Sequence, residues 1–516
     1  MKIVVLFSFI LFGFLAFGQQ LLLPTHSFYK DQIFANKLSS PLNNGSFFPI
    51  NESNYDLIPA INDSSKQYYD LTYVLFQKHL IEVKGKDFTL SIDPVLDMSM
   101  GRNLSDTVTK RLFQNTKGVH VEGRIYDNFA FSTTLYENQA RFNPYENQYY
   151  TSIGEKYPQA DSSYLTQNAV VPGGGRTKPF KVDAFDYASA VGYLVYAPVK
   201  SVKIIAGNNV QFIGDGHRSI LLSDNSFSAP YFRVDWSFHP KFSFSYLRAK
   251  QLNLLRRPAS GSVEANYETK GYSVNYFTYM PSKKLNISLF ESGQWNKGDS
   301  ITSHSAHPLF YNPVPIVSGL SLKNKNEVVT LLGLNIGFQL AKNHRVYGQV
   351  AMNDFNSSKI AAQIGYRGYD YFGIGDFMFQ FEYNFVADQT YQADNRRLNN
   401  VHFNLPIAHV KGDGFQEFLI RTNYEYKRVY ADILATYYLL SNYSNESLLP
   451  VYEVLTRNSN QIFYASTEVG IRFNRKMNLM IFGNWTYRTE SNSTILGTNS
   501  FQVGIRTGLV NHYKGF

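Results

Sequence analysis

The segment "FMFQFEYNF" at residues 377–385 alternates two kinds of side chain along its whole length. Aromatic residues occupy every odd-numbered position, and the even-numbered positions are mostly polar. The two sets are Phe377, Phe379, Phe381, Tyr383 and Phe385 on one side and Met378, Gln380, Glu382 and Asn384 on the other. Because successive side chains of a β-strand point to opposite faces, the pattern predicts a strand with one apolar face and one hydrated face.

The same alternation recurs further along the chain. Apolar Phe418, Ile420, Tyr424 and Tyr426 alternate with polar Glu417, Arg421, Asn423 and Glu425, and apolar Leu479, Ile481, Trp485 and Tyr487 alternate with polar Asn484, Thr486 and Arg488. Composition agrees, because 38 Tyr and 41 Phe residues raise the aromatic fraction to 16%. Beyond residue 18, no apolar run reaches the ~20 residues that a membrane helix needs. The chain is therefore predicted to be all-β.

The connections between the predicted strands alternate between short and long. Short links lie near 127–128, 198, 239–240, 281–282, 342–343, 427–428 and 475–476, and long polar stretches lie at 139–187, 209–229, 294–326, 387–415 and 441–460. Two links depart mildly from this order, a short one at 354–358 and a medium one at 367–375. A soluble sandwich would also alternate along its strands, but short turns on one rim and long loops on the other are typical of outer-membrane barrels. The prediction is a transmembrane antiparallel β-barrel of about 18 strands, with both chain ends on the periplasmic side.

The polar face of the predicted strands carries both signs of charge. Its acids are Glu382, Glu417, Glu425, Asp432 and Glu468, and its arginines are Arg421, Arg472, Arg488 and Arg506. In a barrel this face lines the lumen, so the mixture predicts a hydrated or cross-linked interior.

The first residues predict export. Lys2 is followed by the uncharged run "IVVLFSFILFGFLAF" and then by Gly18, which predicts a signal peptide over 1–18 rather than a membrane anchor. Residues 19–86 form a separate N-terminal segment, in which 66–83 has helical spacing. This segment either caps the barrel, plugs its lumen or only packs against it. Residues 87–516 form the barrel, located in the outer membrane of a Gram-negative bacterium.

The other end of the chain carries a weaker signal. The stretch "FQVGIRTGLV" at 501–510 alternates like a last strand, and the chain ends in Phe516. A final aromatic residue is what barrel assembly commonly recognises. The last strand and Phe516 are therefore predicted to act together in assembly.

Charge and cysteine content exclude several kinds of site. The net charge of +9 is scattered, which is typical of a solvated surface, and no basic run or reader motif indicates nucleic-acid binding. With no cysteine there is no disulfide, thiolate metal site or catalytic thiol. The two histidines of "HSAH" at 304–307 lack a third ligand, so no metal is predicted. Arg176 and Lys178 in "PGGGRTKPF" at 172–180 could meet an anion only unspecifically.

The stretch "FIGDGHRSILLSDN" at 212–225 holds the candidate binding residues. A phosphate-binding loop requires a helix after its glycines, and here another strand follows. A catalytic triad requires residues that converge in space, which neighbours in sequence rarely do. The stretch therefore predicts a structured outer loop without a catalytic residue, either exposed or folded into the barrel and narrowing it, in which Arg218 and Asp224 pair with each other or with lumen-facing partners. It is either a tie between loop and barrel or a polar surface for a sugar chain; its binding candidates are Arg218, Asp224, Asn225 and His217.

Three stretches carry a resemblance to a known family. They are "LFQKHLIEVKGKDFTLSIDP" at 75–94, "NTKGVHVEGRIYDNFAFSTTLYENQARFNPY" at 115–145, and the stretch at 212–225 followed by Pro230. Together they resemble the Wzi family of capsule-assembly outer-membrane barrels, and within it the gliding-motility branch, RemB. In the third stretch the residues that match are Phe212, Gly214, Gly216, Arg218, Ser219, Leu222, Ser223 and Asp224, whereas His217 stands where an aromatic residue is more usual.

The resemblance implies a non-enzymatic barrel with an N-terminal helical element and no cofactor. It implies a role in surface polysaccharide attachment or assembly, or in gliding motility. The implied partners are outer-membrane lipid, surface polysaccharide and other outer-membrane or motility proteins. Two alternatives stay open: a diffusive porin or glycan-uptake channel, and a barrel enzyme with a Ser/His or paired-acid site assembled across strands.

Overall fold

The protein is described here from a computed structural model. The described residues are 21–37, 45–50, 75–106, 111–256, 267–298, 311–312, 314–322, 327–441, 448–451, 461–491 and 497–516. The predicted signal peptide at 1–18 and the histidines of 304–307 lie outside them. So do residues 66–74 of the predicted helix.

Eighteen long antiparallel strands form one sheet, which four short strands join. The long strands are β1 Phe88–Asn103, β2 Leu112–Ile125, β3 Phe129–Arg141, β4 Ala184–Val199, β5 Val202–Asn209, β6 Ala229–His239, β7 Phe242–Arg256, β8 Tyr267–Ser282, β9 Leu285–Gly298, β10 Val328–Ala341, β11 His344–Asn353, β12 Ile360–Tyr369, β13 Phe377–Val386, β14 Phe415–Tyr426, β15 Val429–Leu440, β16 Gln461–Asn474, β17 Leu479–Glu490 and β18 Thr498–Thr507. The last of them, β18, pairs with β1 from Ser500 opposite Asn103 to Arg506 opposite Asp97. The sheet is therefore closed, which confirms the predicted fold class.

The remaining elements are short. The helices are α1 Ser27–Lys37, α2 Pro144–Ser152 and α3 Val317–Leu322, with 3-10 turns at Tyr371–Gly373 and Arg396–Leu398. The short strands are Phe47–Phe48, Ile81–Lys84, Glu155–Pro158, Tyr164–Gln167, Val170–Val171, Gly175–Arg176, Lys178–Phe180, Phe212–Ile213, Val401–His402 and Leu405–Pro406. Within the described part of the chain, no helix is long and apolar enough to cross a membrane.

The connections divide between two rims of the barrel. One rim carries short turns, at 126–128, 200–201, 240–241, 283–284, 342–343, 370–376, 427–428 and 475–478. The other carries mostly longer loops, of which the longest is 142–183. In outer-membrane barrels short turns face the periplasm and long loops face outward. We call these the short-turn rim and the long-loop rim.

The outer and inner faces of the wall follow the alternation of the sequence. Rings near the short-turn rim form an aromatic cluster, in which the centroids of Trp236 and Phe238 are 4.9 Å apart and those of Phe242 and Tyr279 are 4.8 Å apart. Such clusters are typical of the aromatic girdle at a membrane interface. On the inner face of β13, Glu382 is fully buried. The wall is thus apolar outside and polar inside.

The largest hydrophobic core cluster lies where apolar residues of the wall pack against the segments that enter the lumen. Phe47 of the N-terminal segment pairs with Ile213 of the loop between β5 and β6, and both are fully buried. They pack with wall residues such as Tyr276, whose hydroxyl donates to the carbonyl of Gly45 at 2.6 Å. The N-terminal segment and an outer loop therefore meet within the lumen.

The predicted helix at 66–83 is wrong at its C-terminal end. Residues 75–77 form a helical turn, but Ile81–Lys84 is a strand paired with β1, from Ile81 opposite Ile92 to Lys84 opposite Thr89. This part of β1 lies beyond the residues that pair with β18, so its edge is open to a partner. The helical spacing of apolar side chains is a weak local preference. Pairing the free backbone N–H and C=O groups of β1 outweighs it, because unpaired backbone groups are costly in lipid.

The last strand ends three residues earlier than the predicted stretch at 501–510, and the predicted role of Phe516 in assembly stays a prediction. Strand β18 ends at Thr507, and residues 508–516, which we call the tail, turn back into the lumen. The ring of Phe516 is buried, and its centroid is 4.5 Å from that of Tyr149 in α2. Helix α2 belongs to the loop at 142–183 on the long-loop rim. The tail therefore runs inward from β18 and ends against an outer loop.

We expect the protein to fractionate with the outer membrane and to migrate faster on gels when it is not boiled. A closed barrel with all wall strands paired resists detergent until it is heated. Gel mobility before and after boiling, measured on membrane and periplasmic fractions, checks this. Recovery in the soluble periplasmic fraction would rule out the architecture.

Candidate functional site

The loop at 210–228 folds into the barrel, which is one of the two positions that the sequence left open. Arg218, Asp224 and Asn225 are 3%, 6% and 2% exposed, and His217 is partly buried. Gly214 has a φ of +127°, a backbone conformation that a side chain would strain. All four candidate residues therefore lie inside the barrel rather than on its outer surface.

Arg218 links the barrel wall to the tail. Its Nε lies 3.3 Å from a carboxylate oxygen of Glu417, and its Nη2 donates to the hydroxyl of Tyr438 at 3.3 Å. The same Nη2 donates to the carbonyl of Gly515 at 2.9 Å. The guanidinium also lies 5.1 Å from the ring centroid of Tyr513. These contacts place Arg218 among lumen-facing partners, which is one of the two predicted arrangements. They do not include Asp224, and they do not test a role in binding.

Asp224 links the loop to the tail and to the N-terminal segment. It accepts from the hydroxyl of Tyr513 at 2.6 Å and from the side-chain amide of Asn511 at 2.9 Å. Asn511 also donates to the carbonyl of Thr25 at 2.9 Å and accepts from the backbone N–H of Ser27 at 2.8 Å. Three separate segments therefore meet here, and we call residues 212–226, 508–516 and 22–32 the central junction.

The other two candidates have smaller roles in this junction. The amide of Asn225 donates to the carbonyl of Pro406 at 3.4 Å. The backbone N–H of His217 donates to Glu382, and its ring lies 5.5 Å from that of Tyr513. The imidazole of His217 faces the lumenal cavity described below.

The protonation states of the junction follow from its burial. Burial lowers the pKa of His217 well below its usual value, and the neighbouring Arg218 cation lowers it further. Burial raises the pKa of Tyr513 well above its usual value, and the Asp224 carboxylate adds to this shift. His217 is therefore neutral at physiological pH, and Tyr513 keeps the proton that it donates to Asp224.

A cavity of about 290 Å³ lies between the central junction and the barrel wall. Its volume is close to the lower end of the range for small-molecule sites, roughly 300–1,000 Å³. Neutral polar side chains on the wall line it: Ser99, Gln114, Thr116, Ser132, Thr134, Asn138, Ser466, Asn484 and Gln502. Its tyrosines are Tyr136, Tyr187, Tyr193, Tyr430, Tyr464 and Tyr513.

A second polar cluster lies in the outer loops, and sequence reasoning missed it. Glu155 accepts from the hydroxyl of Tyr267 at 2.7 Å and from Nη1 of Arg176 at 3.3 Å, and it pairs with Arg256. The guanidinium of Arg256 lies 5.0 Å from the ring centroid of Tyr157. No sequence pattern connects these residues, because they come from three separate parts of the chain. These are the loop at 142–183, the end of β7 and the start of β8. Arg176, predicted as an unspecific anion contact, is occupied by Glu155.

The sequence also carried no signal for the tail contacts of Asn511, Tyr513 and Gly515, which lie beyond the last alternating residue. As to metals, no group of three or more potential ligands that could hold an ion occurs among the described residues.

The closed 18-stranded wall and its polar, filled lumen define the fold as that of Gram-negative outer-membrane barrels. The sequence matches no protein-family model, and a comparison with curated proteins gives no significant match.

Solved structures give likenesses of fold. One is Wzi, an outer-membrane protein involved in group 1 capsule assembly in Escherichia coli and a carbohydrate-binding β-barrel. The identity is 12% and the TM-score 0.55, over 94% of this chain and 99% of Wzi. Acinetobacter baumannii OccAB2 gives a TM-score of 0.40 at 9% identity, over 81% of this chain and 96% of OccAB2. Pseudomonas aeruginosa OpdK with vanillate gives 0.42 at 9% identity, over 81% of this chain and 97% of OpdK. At these identities the likeness extends to the fold alone. The two structures with TM-scores below 0.5 support no further inference.

Proposed function

We propose that the protein is a non-enzymatic outer-membrane barrel that holds surface polysaccharide, in capsule attachment or assembly or in gliding motility of the RemB kind. The likeness of its fold to Wzi supports the class of ligand. The resemblance of the sequence stretches at 75–94, 115–145 and 212–225 to the same family is independent support.

The filling of the lumen is the observation that carries this proposal. The N-terminal segment, the loop at 210–228 and the tail all enter the barrel and bond to one another there. A diffusive porin or glycan-uptake channel requires a wide aqueous path, and these three segments fill much of the lumen. A barrel whose lumen is largely filled fits a role in binding better than a role in permeation.

Two buried acids of the lumen, Glu417 and Glu382, are engaged as structural acceptors, which favours a non-enzymatic role. Glu417 pairs with Arg218 and accepts from Nε2 of His409 at 2.8 Å. Glu382 accepts from the backbone N–H of Arg218 at 3.2 Å and from the hydroxyl of Tyr347 at 3.0 Å. A glycosidase requires two such groups free to reach a substrate.

We assign the four candidate residues two roles within this function. Arg218, Asp224 and Asn225 hold the loop, tail and N-terminal segment in place. His217 presents its ring to the lumenal cavity. Any effect of the first three on polysaccharide binding is then indirect.

A deletion strain tests the proposal when capsule retention and spreading on agar are both scored. We expect at least one of these surface phenotypes to be lost and to be restored by the wild-type gene. The purified barrel should pass no steady current in a planar bilayer. Normal surface phenotypes together with a large steady current would instead indicate a porin.

A further inference from the structure

The lumenal cavity is long and follows the wall. At the level of the outer loops it is lined by Gly173 and Asn138, and near the short-turn rim by Glu122 and Asp432. Its other side is formed by the central junction. A ligand in this cavity would lie along the barrel axis, between the wall and the tail.

The charged groups that line the cavity are largely engaged with one another. Arg506 pairs with Glu468, and Arg421 pairs with Asp432 at 2.6 Å. The Nε2 of His120 lies 3.4 Å from Glu122. These opposite charges therefore compensate one another within the wall and the junction.

The neutral groups that line the cavity are mainly side-chain amides, hydroxyls and aromatic rings. Asn484 of β17 lies directly opposite Gln502 of β18, so two side-chain amides stand side by side on the wall. Asn484 donates one N–H to the hydroxyl of Ser466 at 3.0 Å and accepts from that of Thr486 at 2.9 Å, which leaves its second N–H and one lone pair for a ligand. Thr116 and Thr134 add hydroxyls from the neighbouring sector, and Tyr187 adds an aromatic ring. Amides and hydroxyls both donate and accept, which suits the hydroxyl groups of sugars. Tyrosine offers an apolar face with a polar tip, which suits a sugar ring.

We propose that this cavity binds a short, uncharged stretch of a saccharide chain, with Asn484 and Gln502 donating to and accepting from its hydroxyls. The proposal rests on the proposed function and places a contact with the polysaccharide inside the barrel. The central junction forms one wall of this site, so the tail and His217 contribute to its shape.

The test uses two near-isosteric changes, Asn484→Leu and Gln502→Leu, made together in the full-length barrel. The probe is a set of short oligosaccharides released by mild acid from the host cell's own surface polysaccharide. Titration calorimetry on the folded, detergent-purified protein should show binding weakened by about tenfold or more, since two hydrogen-bonding groups are lost. The matched control is Gln416→Leu, because Gln416 pairs with Tyr383 on the outer face and does not line the cavity.

A second measurement does not depend on how well the double variant folds. The chain has no cysteine, so Gln502→Cys creates a single thiol on the cavity wall. The oligosaccharides should slow its reaction with a small maleimide, and they should leave Gln416→Cys unaffected.

Each result has one meaning. Unchanged affinity in the double variant, or an unprotected Cys at 502 while wild type binds, overturns the cavity site and leaves the proposed function standing. Absence of any binding by the wild-type protein overturns both.

Discussion

Arg218→Ala combined with Asp224→Ala is expected to remove most of the folded barrel from the outer membrane. Breaking one buried ion pair leaves its other charge uncompensated, which costs about 3–5 kcal/mol. Here Glu417 loses its arginine and keeps bonds from His409, Tyr438 and Asn384. The tail loses the bond from Arg218 to Gly515 and the bond from Tyr513 to Asp224. The amount of heat-modifiable protein in membrane fractions measures the loss.

The control for this double change is Arg102→Ala, which removes an arginine from an exposed position on β1. It should leave the folded amount unchanged. If the double variant reached normal abundance and lost only polysaccharide retention or spreading, Arg218 and Asp224 would bind ligand directly. Normal abundance with a normal phenotype would contradict both their structural and their binding role.

Removing the tail, residues 508–516, is expected to open the lumen without preventing assembly. Strand β18 ends at Thr507, so its pairing with β1 survives the truncation. The truncation removes the bonds of Tyr513 to Asp224 and of Gly515 to Arg218, and the packing of Phe516 against Tyr149. The truncated barrel should pass a measurable current in a planar bilayer, and the full-length protein should pass none.

A longer truncation, of residues 498–516, is the matched comparison. It removes β18 as well, so β1 and β17 lose a neighbour and expose backbone groups to lipid. This variant should yield almost no heat-modifiable protein. If the shorter truncation abolished assembly equally, Phe516 would act as an assembly signal despite its position in the lumen.

The sequence predicted the wall well because the relevant physics is local. In 377–385 each residue faces lipid or lumen according to its own position, so the period of two is visible without any knowledge of neighbours. The order of short and long connections then indicated a barrel, and the count of 18 strands followed from it. Neither inference requires knowing which distant residues touch.

The interior could not be predicted in the same way. Arg218 meets Glu417 and Asp224 meets Asn511, and these partners are 199 and 287 residues apart in the chain. The loop at 212–225 was recognised as structured, but its inward direction depends on partners supplied by the tail. Likewise, the strand at Ile81–Lys84 forms only because β18 leaves part of β1 unpaired.

By itself, therefore, the sequence determined the class of fold, the two faces of the wall and the mixed charge of the lumen. The tertiary structure decided where the candidate residues lie, what fills the barrel and which polar groups face the cavity. The physical reason is that lipid and water act on each strand residue separately. A buried polar group instead needs a specific partner, and that partner is known only once the barrel has closed around it.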